Sequence, residues 1–418
     1  MNYKECLEYL RTHCKRGMPG GIERTCRMVE LLHHPEASLR VIHVAGTNGK
    51  GSTSAILESI LRENGYRVGL FTSPHLIRYE ERIQINREMI SEEAFAQILS
   101  FLAEDIIPQL IYDGMEHPGE FELLTVMSWL YFKDRTDYVI CEVGLGGALD
   151  PTNLVKDPLI SVVTPVSLDH CQLLGNTIAE IAGEKAGIIK YGIPVVAAEQ
   201  SMDAIKVIRG VAEKKSAPIY IANREEGETI ETNLLGDYQQ VNAKTALTVL
   251  RVLKERRAVE IEEEALTRGL KRVSWAGRME YHDLGEGKGI LLDGAHNPDG
   301  IRCLSDNLKK LYSGREIIFF LSILDEKEQD LMLETLTPFA SRVIITKPSS
   351  TGRADHWMDI QKRVEKIAPN LPVTLEEQEE EGLKKAVENL KQDQLLCITG
   401  SLYLLGDCEK YLQSILKK

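Results

Sequence analysis

The stretch VIHVAGTNGKGSTSAIL, residues 41–57, places a lysine among glycines and hydroxyl residues. That composition suits a loop that holds phosphate. Glycines let backbone N–H groups close around phosphate oxygens, Lys50 adds positive charge, and a following helix aims its N-terminus at the anion. The common spelling wants Gly-x-x-x-x-Gly-Lys followed at once by Ser or Thr. Here Val44 stands in the first glycine's place and Gly51 follows Lys50, moving Ser52 and Thr53 one place on. The candidate phosphate contacts are Gly46, Thr47, Asn48, Gly49, Lys50, Gly51 and Ser52. A glycine-rich turn without a ligand is the plain alternative, and the strand–loop–Lys–helix context argues against it.

Further reactive side chains follow short apolar runs. TSPHL comes after 67–71; its Ser73 could ligate Mg²⁺ or cap a turn, and Ser73–Pro74 is a candidate cis bond. Glu142 closes the run 138–141, where a carboxylate lies buried unless it is paired or bound to metal. Asp169 and His170 follow 159–164. A serine, a glutamate and a histidine at neighbouring strand ends suit Mg²⁺ beside a triphosphate, although Mg²⁺ ordinarily prefers oxygen ligands.

Lys185 lies in NTIAEIAGEKAGIIK, which opens with the capping box Thr177 to Glu180. Ile178, Ile181, Ala182 and Lys185 share one helical face, so the lysine points where the apolar residues point. Burial weakens an amine's hold on its proton. The alternatives are a salt-bridged or snorkelling lysine and a neutral amine able to take up carbon dioxide as a carbamate. In LLDGAHNPDG, Asp293 could bind a ribose hydroxyl or a metal, or cap the helix starting at Pro298; His296 is beside it. Arg278, in WAGRME, could hold a phosphate bidentately from a hinge between domains.

The elements that must position these residues alternate. RVIHVAG, YRVGLFT, DYVICEVG, PLISVVT and IPVVAA are β-branched runs of strand length, separated by segments of helical period such as Ile56, Leu57, Ile60 and Leu61. This predicts a parallel sheet with helices on both faces, with ligands beyond the carboxyl ends of the strands. Residues 222–236 read as a polar surface excursion, followed by helices near 238–256 and 260–271. The turn-rich SWAGRMEYHDLGEGKG reads as a hinge, after which a second α/β alternation begins. The predicted domains are 1–279 and 280–418.

The whole chain sets limits on function. Its 418 residues exceed one comfortable core, and 43% hydrophobic with 27% charged residues is ordinary for a soluble protein. A net charge of −13 argues against a general nucleic-acid binder. No stretch approaches about 18 apolar residues, which predicts no membrane span. The N-terminal MNYKECLEYLRTHCKRG reads as an amphipathic helix, not a signal peptide. Eight cysteines without a CxxC pair read as reduced thiols in a cytoplasmic protein, not structural zinc.

In their order, HVAGTNGKGST, GLFTSPHL, ERIQIN, FELLT, EVGLGGALDPTN, LDH, LLGNTIAEIAGEKAGIIK, Gln239 to Leu247, GRME, LLDGAHNPDG and ITGSLYLLG resemble the Mur ligase superfamily. They most resemble its folylpolyglutamate synthase/dihydrofolate synthase family, of the bacterial bifunctional type. The resemblance implies a P-loop ATPase domain of the Mur central type, then a smaller Rossmann-like α/β domain. It implies a ligase that activates a carboxylate with ATP through an acyl phosphate and joins it to L-glutamate, with folate or dihydropteroate as acceptor. ATP would lie between the domains, held by the phosphate loop with Asn242, Arg278, Asp293 and His296. Ser73, Glu142 and His170 match the family's Mg²⁺ ligands, for two ions, with a monovalent cation as a further ligand. Lys185 matches its carbamylated lysine. Lys50, Glu142, His170 and Lys185 would carry the catalysis. The pterin substrate would sit near Ser73, Pro74, His75, Glu120, Phe121, Glu122, Leu149, Asp150 and Pro151. The expected state is a monomer without nucleic acid or membrane.

Three positions depart from the family pattern. Ala148 stands where Arg is usual, Pro151 replaces the Ala of LDATN, and Asp237–Tyr238 stand where Gly-x-His is commoner. A peptidoglycan-precursor ligase would carry a UDP-sugar domain before the loop, and 45 residues precede Gly46. A nucleotide-binding protein without ligase activity has no need of Asp293 and His296, and a silent paralogue would be expected to lose Lys50, Glu142 or His170.

Overall fold

The structure is a computed structural model and describes residues 1–14, 22–223, 225 and 228–416. It divides into two compact units, Met1–Asn233 with Gln240–Val273, and Leu234–Gln239 with Ser274–Lys418.

The first unit carries strands β1 (Val41–Ala45), β2 (Val68–Phe71), β3 (Ile83–Ile85), β4 (Glu88–Met89), β5 (Tyr138–Glu142), β6 (Ile160–Val163), β7 (Val195–Ala198) and β8 (Ile219–Ala222). They form one sheet in the order β4-β3-β2-β5-β1-β6-β7-β8. All pairs from β2 to β8 are parallel. The β2–β3 and β3–β4 pairs are antiparallel, which the predicted all-parallel sheet did not include. Strands β1, β2, β5, β6 and β7 are buried along their whole length. That is the reason they read as continuous β-branched runs.

The helix Lys50–Glu63 follows the phosphate loop, and its Ile56, Leu57, Ile60 and Leu61 are fully buried. Burial of each such side chain contributes about 1.5–3 kcal/mol. Gly269, on the helix Glu263–Arg272, lets the two backbones meet: a Cβ there would lie 2.5 Å from Ile60 Cα.

A continuous 21-residue helix, Glu92–Tyr112, is long and apolar enough to cross a membrane by length and composition. This corrects the reading that no stretch comes near that length. Its Phe95, Leu99, Leu102, Ile106, Ile107 and Leu110 belong to the hydrophobic core, and Glu92, Glu93, Glu104 and Asp105 lie along it, so packing accounts for its apolar face.

The N-terminal helix is Tyr3–His13, with Asn2 and Glu5 forming a capping box; residues 15–17 of the predicted helix lie outside the described residues. The 222–236 excursion is not wholly a surface one. Ile230 and Leu234 are buried and Asn233 N–H donates to Leu270 O at 3.0 Å; its residues 224, 226 and 227 lie outside the described residues.

The second unit carries β9 (Glu280–Gly285), β10 (Lys288–Leu292), β11 (Glu316–Leu321), β12 (Ala340–Thr346), β13 (Val373–Glu376) and β14 (Gln394–Thr399), in the order β13-β12-β11-β14-β10-β9. All pairs are parallel except β9–β10. The predicted hinge therefore contains an edge strand: EYHDLG pairs antiparallel with β10. Its core is built from Leu291, Phe319, Leu321, Ile345 and Leu395 with Ile301, Leu304 and Met332 of the covering helices. All eight cysteines are free.

Candidate active site

In the first unit, β1 delivers the chain to Gly46, and the helix Lys50–Glu63 begins after Gly49. Gly49 is the N-cap at φ +84°, a conformation that side chains with a Cβ disfavour. A Cβ there would also lie 2.2 Å from Asn242 Oδ1. Thr47 and Asn48 N–H groups both donate to Pro165 O, at 2.9 and 3.1 Å, and Asn48 Nδ2 donates to Ser167 Oγ at 3.0 Å. These bonds fasten the loop to the segment after β6. The N–H groups of Lys50, Gly51 and Ser52 lie in the first turn of the helix Lys50–Glu63. They are the donors a phosphate would meet.

Two lysines converge on the loop. Lys50 Nζ donates to Gly46 O at 3.0 Å and to Thr47 O at 3.2 Å. Lys185, at the end of the helix Ile178–Ala186 and 4% exposed, donates from Nζ to the same Gly46 O at 2.9 Å. Burial, and then the charge of Lys50, lower its pKa to about 7, against the opposing pull of Asp169, Asp150 and Glu184. The capping box that starts this helix is present, Thr177 with Glu180.

The neighbouring strand ends supply the other predicted groups. Ser73–Pro74 is cis. Ser73 N–H donates to Glu142 Oε2 at 3.4 Å, so these two predicted metal ligands meet. Glu142 is the last residue of β5 and 3% exposed. His170 adopts φ +51° and its Nε2 lies 3.9 Å from Asp169 Oδ2. Among the described residues no three His, Cys, Asp or Glu side chains gather as a metal cage. A buried carboxylate with a serine beside it fits a Mg²⁺ that completes its shell with water and phosphate oxygens.

The predicted pterin residues fall into two clusters. In one, Arg82 Nε donates to His75 Nδ1 at 2.8 Å, His75 lies 4.4 Å from the Tyr79 ring, and Tyr79 OH donates to Glu120 Oε2 at 2.9 Å. Glu122 is buried and accepts from Arg24, from Thr25 Oγ1 and from Gly119 N. Its carboxylate is thus engaged by the helix Ile22–Leu31 and its own helix start. In the other cluster Phe121 fills the space beside Gly144, where a Cβ would lie 2.5 Å from its ring. Asp150 is buried and accepts from Gly144, Leu145 and Thr152, while Leu149 is 64% exposed and Pro151 begins a short 3-10 turn. Ala148 N–H donates to Glu184 O at 3.0 Å, packing this loop on the Lys185 helix.

In the second unit, Asp293 follows β10 and is buried. Its Oδ2 accepts from Tyr238 OH at 3.0 Å and Met279 N at 2.9 Å, and its Oδ1 from Ala295 N at 2.9 Å. Burial raises its pKa, opposed first by Arg278. The cap of the helix Pro298–Leu311 is Asn297, whose Oδ1 accepts from Gly300 N at 2.8 Å, so Asp293 is left for another role. His296 Nδ1 pairs with Gly294 O at 2.8 Å.

Two participants escaped the sequence reading: Arg24, which engages Glu122, and Tyr79, which engages Glu120. Each acts through a partner distant in sequence, and no local spacing announces it.

Residues 277–402 match the family model described as Mur ligase, glutamate ligase domain. The chain is 35% identical to the dihydrofolate synthase/folylpolyglutamate synthase of Bacillus subtilis, over 98% of its own length and 99% of that protein. The folylpolyglutamate synthase of Thermotoga maritima superposes with a TM-score of 0.81 at 33% identity, covering 100% of this chain and 97% of that one. A folylpolyglutamate synthase solved with AMPPCP and folate superposes with a TM-score of 0.81 at 30% identity, covering 99% and 100%.

Proposed function

We infer the reaction from membership: the chain belongs to the folylpolyglutamate synthase/dihydrofolate synthase family of the Mur ligases, and it adds L-glutamate to folates at the expense of ATP. The observation that carries this reading is the pair of lysine amino groups, Lys50 and Lys185, on the carbonyl of Gly46, at the start of the helix Lys50–Glu63.

Lys50 and the N–H groups of residues 50–52 hold the β- and γ-phosphates of ATP and offset charge that builds on phosphoryl oxygens during transfer. The γ-phosphoryl group passes to the substrate carboxylate, releasing ADP and leaving an acyl phosphate. The amine of glutamate attacks that carbon, an amide bond forms, and phosphate departs with the proton lost from nitrogen. Mg²⁺, held by Glu142 and Ser73 with His170, would supply Lewis-acid charge at the phosphates. Phe121, Leu149 and the His75–Tyr79–Glu120 cluster bind the pterin-bearing acceptor. In the second unit, Asp293 with Arg278 and His296 offers groups suited to a ribose hydroxyl and a phosphate. Lys185, as a neutral amine, can take up carbon dioxide: its lone pair bonds to the carbon and one proton leaves, giving a carbamate beside the loop.

The test is ADP release by the purified protein with ATP and glutamate, with dihydropteroate and separately with tetrahydrofolate. Turnover dependent on both glutamate and a pterin acceptor is expected. ADP release indifferent to glutamate, or absent with both acceptors, overturns the reading.

A further inference from the structure

His43 is the polar exception in β1, between Ile42 and Val44 of a wholly buried strand. Its Nε2 lies 2.9 Å from Thr152 Oγ1, and Thr152 Oγ1 in turn meets Asp150 Oδ1. His43 and Thr152 are fully buried and Asp150 is 4% exposed. His43 Nδ1 is buried without a partner. A residue selected for packing alone would be apolar here, since an unpaired buried nitrogen is costly.

The direction of the protons follows from the acceptor at the far end. Asp150 Oδ2 accepts from Gly144 N and Leu145 N, each at 3.0 Å, and Oδ1 from Thr152 N at 3.0 Å as well as from the hydroxyl. Four donors aimed at two oxygens suit the ionised carboxylate. The Thr152 hydroxyl therefore gives its proton to Asp150, and its oxygen accepts from His43, which must carry its proton on Nε2. Burial lowers the His43 pKa to about 3, which keeps the ring neutral with that single proton.

This chain fastens the loop that carries the acceptor contact Leu149. Gly144, gripped by Asp150, lies where any Cβ would strike the Phe121 ring. Gly147 packs against the backbone of Glu184 and Lys185, and Asn153 Nδ2 donates to Ala148 O at 3.0 Å. Between these anchors Leu149 projects to solvent.

We propose that His43, Thr152 and Asp150 form a buried hydrogen-bond chain that sets the 144–151 loop against Phe121 for the pterin-bearing acceptor, with His43 as a positioning residue. The proposal rests on the folate-ligase reading. His43 touches neither nucleotide nor acceptor, and its effect belongs to the acceptor's affinity.

The experiment compares His43→Leu, His43→Gln and Thr152→Val with the unsubstituted protein. It reads KM for tetrahydrofolate, KM for ATP and, by calorimetric titration, Kd for tetrahydrofolate. His43→Leu and Thr152→Val each raise KM and Kd for tetrahydrofolate about fivefold or more, the scale of one net hydrogen bond. KM for ATP stays within about twofold by the same measure. His43→Gln, whose amide can donate from nearly the same place, restores the acceptor affinity. Unchanged tetrahydrofolate affinity in Thr152→Val, or an equal rise in both KM values, overturns the proposal. If His43→Leu does not fold, Thr152→Val decides alone, because it keeps the side-chain shape. No turnover by the unsubstituted protein sinks the ligase reading and this proposal with it; turnover with flat affinities in the variants sinks this proposal only.

Discussion

Lys185 Nζ donates to Gly46 O at 2.9 Å, and Lys50 Nζ reaches the same oxygen at 3.0 Å. Two like charges that share one carbonyl repel, and burial weakens the hold of Lys185 on its proton further. Of the two, Lys185 is the one that burial favours as the neutral amine.

Lys50→Ala removes the charge aimed at the phosphates and leaves the loop's backbone bonds to Pro165 in place. We expect kcat to fall at least about 100-fold, the scale of losing one preorganised transition-state donor, with the unfolding midpoint nearly unchanged. ADP release and a thermal melt measure the two. An active variant would refute the phosphate-loop assignment.

Lys185 titrates near 7 in the folded chain, below its ordinary value of 10.5. The unfolded state therefore binds more protons between those values, so stability rises with pH from about 7 to 10.5; the cost of burying the ammonium is fully present below about 7. The neutral amine prevails above about 7, so activity at pH 8 should rise on adding bicarbonate, and ¹³C-labelled bicarbonate should give a carbamate signal. Lys185→Arg stays charged, loses activity and shows no response to bicarbonate. Equal responses in both proteins would dismiss the carbamate.

Glu142→Gln keeps the shape and the Ser73 contact while removing a buried charge. The Mg²⁺ concentration for half-maximal activity should rise about tenfold or more, as loss of a ligand costs at least what loss of its support does. Chelation should abolish turnover in the parent, and Mg²⁺ should restore it. A variant with the parent's Mg²⁺ dependence would place the ion elsewhere.

Tyr238→Phe deletes the hydroxyl that donates to Asp293 Oδ2 and leaves the two backbone donors. We expect KM for ATP to rise about fivefold, the effect of one net hydrogen bond, with kcat nearly constant. An unchanged KM for ATP would remove Asp293 from the nucleotide site.

The strands that carry the site were legible because β1, β2, β5, β6 and β7 are buried on both faces and so use β-branched residues throughout. The short pair β3 and β4, of three and two residues, is below the length at which alternation can register. β9 resembles a hinge in sequence because its residues are only half-buried and mostly polar. Lys185 could be placed from its capping box and helical face alone. The engagement of Glu122 by Arg24, or of Asp293 by Tyr238, could not, since each pair is joined only by the folded chain. Gly49 shows both sides of this: its place in the loop is plain from spacing, while its need to lack a Cβ comes from Asn242.

The second unit takes in residues 234–239 as well as everything from Ser274 onward. It is therefore not a single exon-like block that recombination could move between ligases by one crossover. A graft cut at Ser274 would leave behind Tyr238, which Asp293 needs, and Asp237, which pairs with Lys310 at 2.7 Å and whose N–H donates to Asn307 Oδ1 at 2.8 Å. Exchange of this domain between relatives has to carry the short upstream segment too, and hybrids that omit it should lose the Tyr238–Asp293 and Asp237–Lys310 contacts.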